Sequence, residues 1–218
     1  MATIPFYWID SITDKPFAGN PAAICPLNTW LPDAVLQQMA LQHGLAETAY
    51  YISKPDGSYH LRWFTPAREV ALCGHATLAS APVLFGQNDD RDQITFSSQS
   101  GPLQIKRDSH GRFELDFLIR PPLAIEDHGA VSELLAALGI DRADWIGKSR
   151  DYFVVLSDQA AVARLTPDFE RMVKFDTESV IVMSPGIDRD FVSRNFAPEY
   201  GIDEDPVTGS SHCTLTPY

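Results

Sequence analysis

The sequence predicts an α+β protein of two lobes, on three observations. Segments rich in β-formers interleave with helical periodicities along the whole chain. Paired prolines in Arg120-Pro121-Pro122 mark an extended, semi-rigid connection near the middle. Each half also runs through a Gly-containing loop into a small-residue segment: Leu72-Cys73-Gly74-His75-Ala76 in the first, Val207-Thr208-Gly209-Ser210-Ser211 in the second. A boundary at the paired prolines gives lobes 1–120 and 121–218. The halves show no sequence repeat, but two lobes meeting at such loops would form a cleft, a common place for a small-ligand site.

Tyr7 to Asp10 reads as a short strand, followed by a Pro/Gly-rich loop and a second strand at Ala22 to Cys25. Val35, Leu36, Met39 and Ala40 recur at helical spacing after Pro32 and before Gly44, so a helix runs from Asp33 to Leu41. Thr48 to Ile52 and Tyr59 to Phe64 read as an antiparallel pair around the turn signal Pro55-Asp56-Gly57-Ser58. Cys73 to Phe85, with Ala76, Ala79, Ser80 and Ala81, reads as a buried helix that lets strands approach closely. Three strands follow at Gln93 to Ser97, Leu103 to Arg107 and Phe113 to Phe117, the last two joined by a Ser109-His110-Gly111 hairpin. Past the linker, helices are expected at Val131 to Leu138 and Asp168 to Val173. Strands are expected at Tyr152 to Leu156, Val180 to Met183 and Phe191 to Phe196, before a turn-rich run from Ala197 to Ser211.

With 44% hydrophobic and 21% charged residues, the composition is that of a packed globular protein rather than a disordered one. A net charge of -12, with no basic run, repels phosphate backbones and anionic lipid, so nucleic acid and membrane are set aside as partners. Cys25, Cys73 and Cys213 are odd in number and widely spaced, and the N-terminal residues lack a signal-peptide pattern, which fits a reducing cytoplasm. No stretch of about eighteen apolar residues suits a membrane span. No Cys or His pair stands at a zinc-binding spacing.

Glu47 is a charged residue at the head of an apolar strand. It reads either as a solvated strand end or as a partly buried carboxylate suited to moving a proton on a carbon acid. His75, at a helix start, is either a satisfied core histidine or a neutral imidazole beside the reacting group. Asp205 could orient His75 or His212, or cap the turn at Pro206. Amides around Gly74, Gly209 and Ser210 could hold a carboxylate if helices begin there; ordinary capping by Thr208 or Ser210 is the competing reading. Arg62, Arg68 and Arg194 are anion clamps or surface ion-pair partners. Cys73 would matter in a two-thiol epimerase, but no second cysteine stands at the matching place in the second loop, so a buried structural thiol is the simpler reading.

Six ordered blocks then carry a family pattern. They are Asp14 to Ala23 (DKPFAGNPAA), Ala46 to Tyr50 (AETAY), Arg62 to Pro66 (RWFTP), Glu69 to Thr77 (EVALCGHAT), Arg194 to Pro198 (RNFAP) and Glu204 to Ser210 (EDPVTGS). This pattern resembles the PhzF-like, phenazine-biosynthesis family across nearly the whole chain. The resemblance implies the diaminopimelate epimerase-like fold, in which each of two similar lobes curls a mostly antiparallel sheet around a central helix. It implies isomerisation of a small cyclic or amino carboxylate, like the family's founding substrate trans-2,3-dihydro-3-hydroxyanthranilate, with no metal or organic cofactor. Carried over by motif, Glu47 is the acid/base, His75 and Asp205 support it, and Gly74, Gly209 and Ser210 hold the substrate carboxylate. A homodimer is implied as well. Ala46 departs from the serine many relatives carry before the glutamate, and relatives continue beyond Tyr218 through further strands, so the second lobe is expected to be truncated.

Overall fold

The computed structural model describes residues 3–87 and 91–218. The chain divides into two compact units, one ending at Phe117 and one running from Leu118 to Tyr218.

In the first unit β1 (Tyr7–Ser11) pairs antiparallel with β2 (Asn20–Leu27), and helix α1 (Asp33–His43) carries the chain over to β3 (Glu47–Ser53), parallel to β2. Strands β4 (Tyr59–Phe64) and β5 (Glu69–Val70) follow as antiparallel neighbours, before helix α2 (Gly74–Gln87). The unit ends with β6 (Gln93–Ser98), β7 (Gly101–Arg107) and β8 (Phe113–Leu115). The sheet order is β1-β2-β3-β4-β6-β7-β8, with β5 on β4. Because α2 packs against β1, β2, β3 and also β8, the first and last strands of that order, the sheet curls around the helix.

The residues explain this arrangement. Strands buried on both faces lose the alternation of a half-exposed strand, and Ala22, Ala23, Ile24 and Cys25 are all fully buried in β2. On one face Cys25 and Tyr50 meet Leu36 and Ala40 of α1, and the Tyr50 hydroxyl donates to the Leu36 carbonyl at 2.8 Å. Helix α2 lies against the other face, and its small residues Ala76, Ala79 and Ala81 allow close approach. Its buried Thr77 and Ser80 hydroxyls donate to carbonyls four residues back, which removes the cost of burying them.

At the C-terminal end of α1, burial pushes the His43 imidazole below its ordinary value of 6.5. The unfolded chain then binds the proton more readily, so this contribution to stability is full above about pH 6.5 and is lost as pH falls below it. Acidification from pH 7.5 to 5.5 should lower the melting temperature, and less so in His43→Gln; an equal drop in both proteins would remove His43 from the explanation.

In the second unit β9 (Leu123–Ala124) is followed by helix α3 (His128–Leu138), then β10 (Trp145–Lys148) and β11 (Tyr152–Val155). Short helices α4 (Gln159–Ala163) and α5 (Phe169–Met172) lead to β12 (Val180–Pro185), β13 (Phe191–Ala197) and β14 (Ile202–Asp205). A 3-10 turn at Gly209–Ser211 runs into helix α6 (His212–Leu215). The sheet order is β14-β13-β12-β11-β10-β9, with β11 and β12 parallel and the other neighbours antiparallel. Alternation along β12 covers both faces: Val180 and Val182 pack with Leu134, Leu138 and Met172 of the helices, while Ile181 and Met183 pack with Leu215 of α6.

Asp127, Asp158 and Asp168 each cap one of these helices, the Asp127 carboxylate accepting from two backbone amides. Asp168 is thus a cap rather than the first helical residue. Replacing Asp127 with alanine should cost about 1 kcal/mol in a denaturant titration; a change below about 0.3 kcal/mol would show that the cap contributes little.

The element orders repeat. In each unit an antiparallel hairpin (β1-β2, β10-β11) leads through helix to a parallel strand (β3, β12), an antiparallel strand (β4, β13), a short strand (β5, β14), then a glycine and a helix (α2, α6). The two final helices differ: α2 has fourteen residues and α6 four.

Candidate active site

Glu47 is the first residue of β3 and pairs with Ala22 of β2. Asn20 stands two residues before Ala22, so strand alternation puts Asn20, Ala22 and Glu47 on one face, the face α2 covers. His75, second residue of α2, enters between them. Its Nε2 lies 3.3 Å from Glu47 Oε2, and its Nδ1 lies 3.3 Å from Asn20 Nδ2 and 3.5 Å from Cys73 Sγ. The cluster is withdrawn from water, with the Glu47 side chain 11% exposed and that of His75 2%. Glu47 is therefore no solvated strand end.

Cys73 is buried, as its residue type suggests, but it belongs to this cluster and not to an inert core. Donor atoms of Glu47, Cys73 and His75 lie within 4.8 Å of one another, a grouping that sequence spacing did not show. Cys73 meets the ring at Nδ1 and Glu47 at Nε2, which are opposite edges. That layout suits a chain of hydrogen bonds through the imidazole better than a single metal ion. Gly74, also buried, begins α2, where the first-turn amides lack intrahelical acceptors.

In the second unit Asp205 ends β14 opposite Asn195 of β13. The Thr208 hydroxyl donates to Asp205 Oδ2 at 2.6 Å, and His212 Nδ1 donates to the Thr208 carbonyl at 3.2 Å. Asp205 thus closes the turn around Pro206, and His212 takes a different acceptor. A cleft of about 90 Å³ lies among Asn195, Asp205, Thr208 and Ser211. Gly209 and Ser210 sit in the 3-10 turn, and the helix after them has only four residues. A helix therefore begins just past Gly209, as the sequence leads one to expect.

A buried polar network fixes that turn. Asn195 Nδ2 donates to Ser179 Oγ and Ser211 Oγ, each at 2.9 Å, and Ser179 Oγ donates to Asp151 Oδ1 at 2.8 Å. Asp151 and Ser179 immediately precede β11 and β12, the places that Asn20 and Glu47 hold at the starts of β2 and β3. Sequence reading missed Asn20, Asn195 and Asp151; for Asn20 and Asp151 the available signal was a polar residue bordering an apolar strand, which needs a partner once buried, whereas Asn195 lies inside β13.

Arg62 pairs with Glu69 through two contacts of 2.7 Å and with Asp33 at 2.9 Å. Arg194 pairs with Glu204 through two contacts of 2.7 Å. Both are ion-pair partners, which settles the choice left open for them. No described helix is long and apolar enough to cross a membrane.

Mostly antiparallel sheets with a repeated element order, the first curled around its central helix, define an α+β protein of the epimerase-like fold. A probable proline racemase from Agrobacterium radiobacter shares the fold, with a TM-score of 0.64 at 8% identity over 98% of this chain and 76% of that one. The family model for phenazine biosynthesis-like proteins matches residues 9–218, and the chain belongs to that family. An uncharacterized isomerase of Pseudomonas aeruginosa is 43% identical over 99% of this chain and 81% of its own length. The crystal structure of a PhzF-family protein from Enterococcus faecalis is 42% identical, with a TM-score of 0.84 over 99% of this chain and 81% of that one. The chain is accordingly a PhzF-like isomerase.

Proposed function

We propose that the protein moves a proton between carbons of a small cyclic or amino carboxylate, of the trans-2,3-dihydro-3-hydroxyanthranilate kind, with Glu47 as the acid/base and no cofactor. The observation that carries this reading is the buried carboxylate of Glu47, 3.3 Å from His75 Nε2. A carboxylate kept from water beside an imidazole can take a proton from a carbon acid and return it elsewhere. His75 and Asp205 support the transfer, and amides around Gly74, Gly209 and Ser210 hold the substrate carboxylate. The enzyme acts as a homodimer in a reducing cytoplasm, in keeping with three buried cysteine thiols.

One observation favours a second reading. Cys73 Sγ lies 3.5 Å from His75 Nδ1, a pairing that can activate a thiol. A two-thiol epimerase needs a second cysteine, however, and Thr208 stands before Gly209 where Cys73 stands before Gly74. Incubation of the protein in D2O with trans-2,3-dihydro-3-hydroxyanthranilate and a panel of small amino and cyclic carboxylates tests the proposal. Carbon-bound deuterium in at least one compound, read by mass spectrometry, is expected. A folded protein that labels none of them would be a binding protein instead.

A further inference from the structure

We propose that Asn20 is a positioning residue that fixes the tautomer of His75: its side-chain amide donates to Nδ1, so the ring hydrogen stays on Nε2, facing Glu47, and Cys73 stays a neutral thiol. Around the ring lie Asn20 Nδ2 at 3.3 Å and Cys73 Sγ at 3.5 Å from Nδ1, and Glu47 Oε2 at 3.3 Å from Nε2. An amide NH2 group only donates, so the nitrogen it faces must offer a lone pair. A neutral imidazole with Nδ1 as acceptor carries its hydrogen on Nε2.

Two consequences follow for the cluster. An imidazolium would place an N–H on Nδ1 against the Asn20 N–H, so the thiolate-imidazolium pair that a cysteine mechanism needs is opposed. The Cys73 S–H can share the Nδ1 lone pair only as a donor. Glu47, in turn, faces a fixed donor whenever it is ionised. Asn20 is itself held in place. It is 1% exposed, it begins β2 opposite Ser11, and the Ser11 hydroxyl donates to its backbone carbonyl at 3.1 Å.

The ring state needs no substrate to measure, whereas its catalytic consequence rests on Glu47 as the acid/base; the two can fail separately. In the full chain labelled with 15N-histidine, long-range 1H–15N correlation spectra would report each ring, the His75 signals being those that vanish in His75→Gln. The expected parent pattern is an unprotonated Nδ1 and a protonated Nε2. Asn20→Asp, which replaces the donor by an acceptor, should move the hydrogen to Nδ1 or charge the ring. With a substrate that the parent labels, the same variant should lower kcat by up to about 10⁴-fold, the cost of a wrong tautomer in a Ser-His-Asp triad, and leave KM nearly unchanged. An Nδ1–H in the parent overturns the proposal even if the variant fails to fold, and so does a folded Asn20→Asp protein whose ring keeps the parent pattern. A shifted tautomer with unchanged kcat would uphold the structural assignment and overturn the catalytic role.

Discussion

Glu47→Gln should fold like the parent and lose about 10²- to 10⁴-fold in the rate of proton transfer, the range general acid–base catalysis supplies. Glutamine keeps the length of the side chain and an oxygen beside His75 Nε2, so the buried contact at 3.3 Å can survive in neutral form. What disappears is the group that can accept a proton. Glu47→Asp separates chemistry from position: it keeps the carboxylate but withdraws it by about one bond, and a misplacement of about 1 Å can cost on the order of 10²-fold. A Glu47→Gln protein with nearly parental turnover would remove the carboxylate from the reaction.

Gly19→Ala should destabilise the first unit by about 2–4 kcal/mol. Gly19 has φ +85, and a Cβ there would lie 2.2 Å from the Ser11 carbonyl oxygen and 2.9 Å from Thr13 Cγ2. The left-handed backbone costs a non-glycine residue roughly 1 kcal/mol. Relieving an overpacked contact adds typically 1–3 kcal/mol. The clashing atom is main chain at the end of the β1-β2 pairing, so it cannot swing aside as a side chain would. Moving it displaces Asn20, the next residue, and turnover should fall along with stability. A denaturant midpoint unchanged to within about 0.5 kcal/mol would show that the loop yields.

Much of the fold was legible in the sequence because hydrophobic periodicity and turn chemistry act locally. Helix α1 was bounded by Pro32 and Gly44, and the β3-β4 pair by its Pro-Asp-Gly-Ser turn. Strand β14 was hidden in a turn-rich run because Ile202 to Asp205 is mostly acidic and only half buried, and β10 is four residues with a glycine inside. The repeat between units could not be read from residue identities, since pairing order survives substitution of one apolar residue for another. It is visible only once the strands are paired.

The candidate site was legible in part for a similar reason. Motif blocks pointed to Glu47 and His75, and the structure brings those two into contact. Residue type alone leaves Glu47 open between a solvated charge and a buried carboxylate, because burial is a property of the strand's neighbours. Asn20 lies fifty-five residues from His75, and no local pattern joins them. Residue type marks Cys73 only as a buried structural thiol; the turn into α2 places it on His75 Nδ1.

The central claim is that Glu47, and not Cys73, moves the proton. Side-by-side deuterium incorporation from D2O by the parent, Glu47→Gln and Cys73→Ser, with one substrate and matched folded protein, tests it most directly. The account predicts labelled product from the parent and from Cys73→Ser, and almost none from Glu47→Gln. Labelling that persists in Glu47→Gln and vanishes in Cys73→Ser would contradict it and make the thiol the proton carrier.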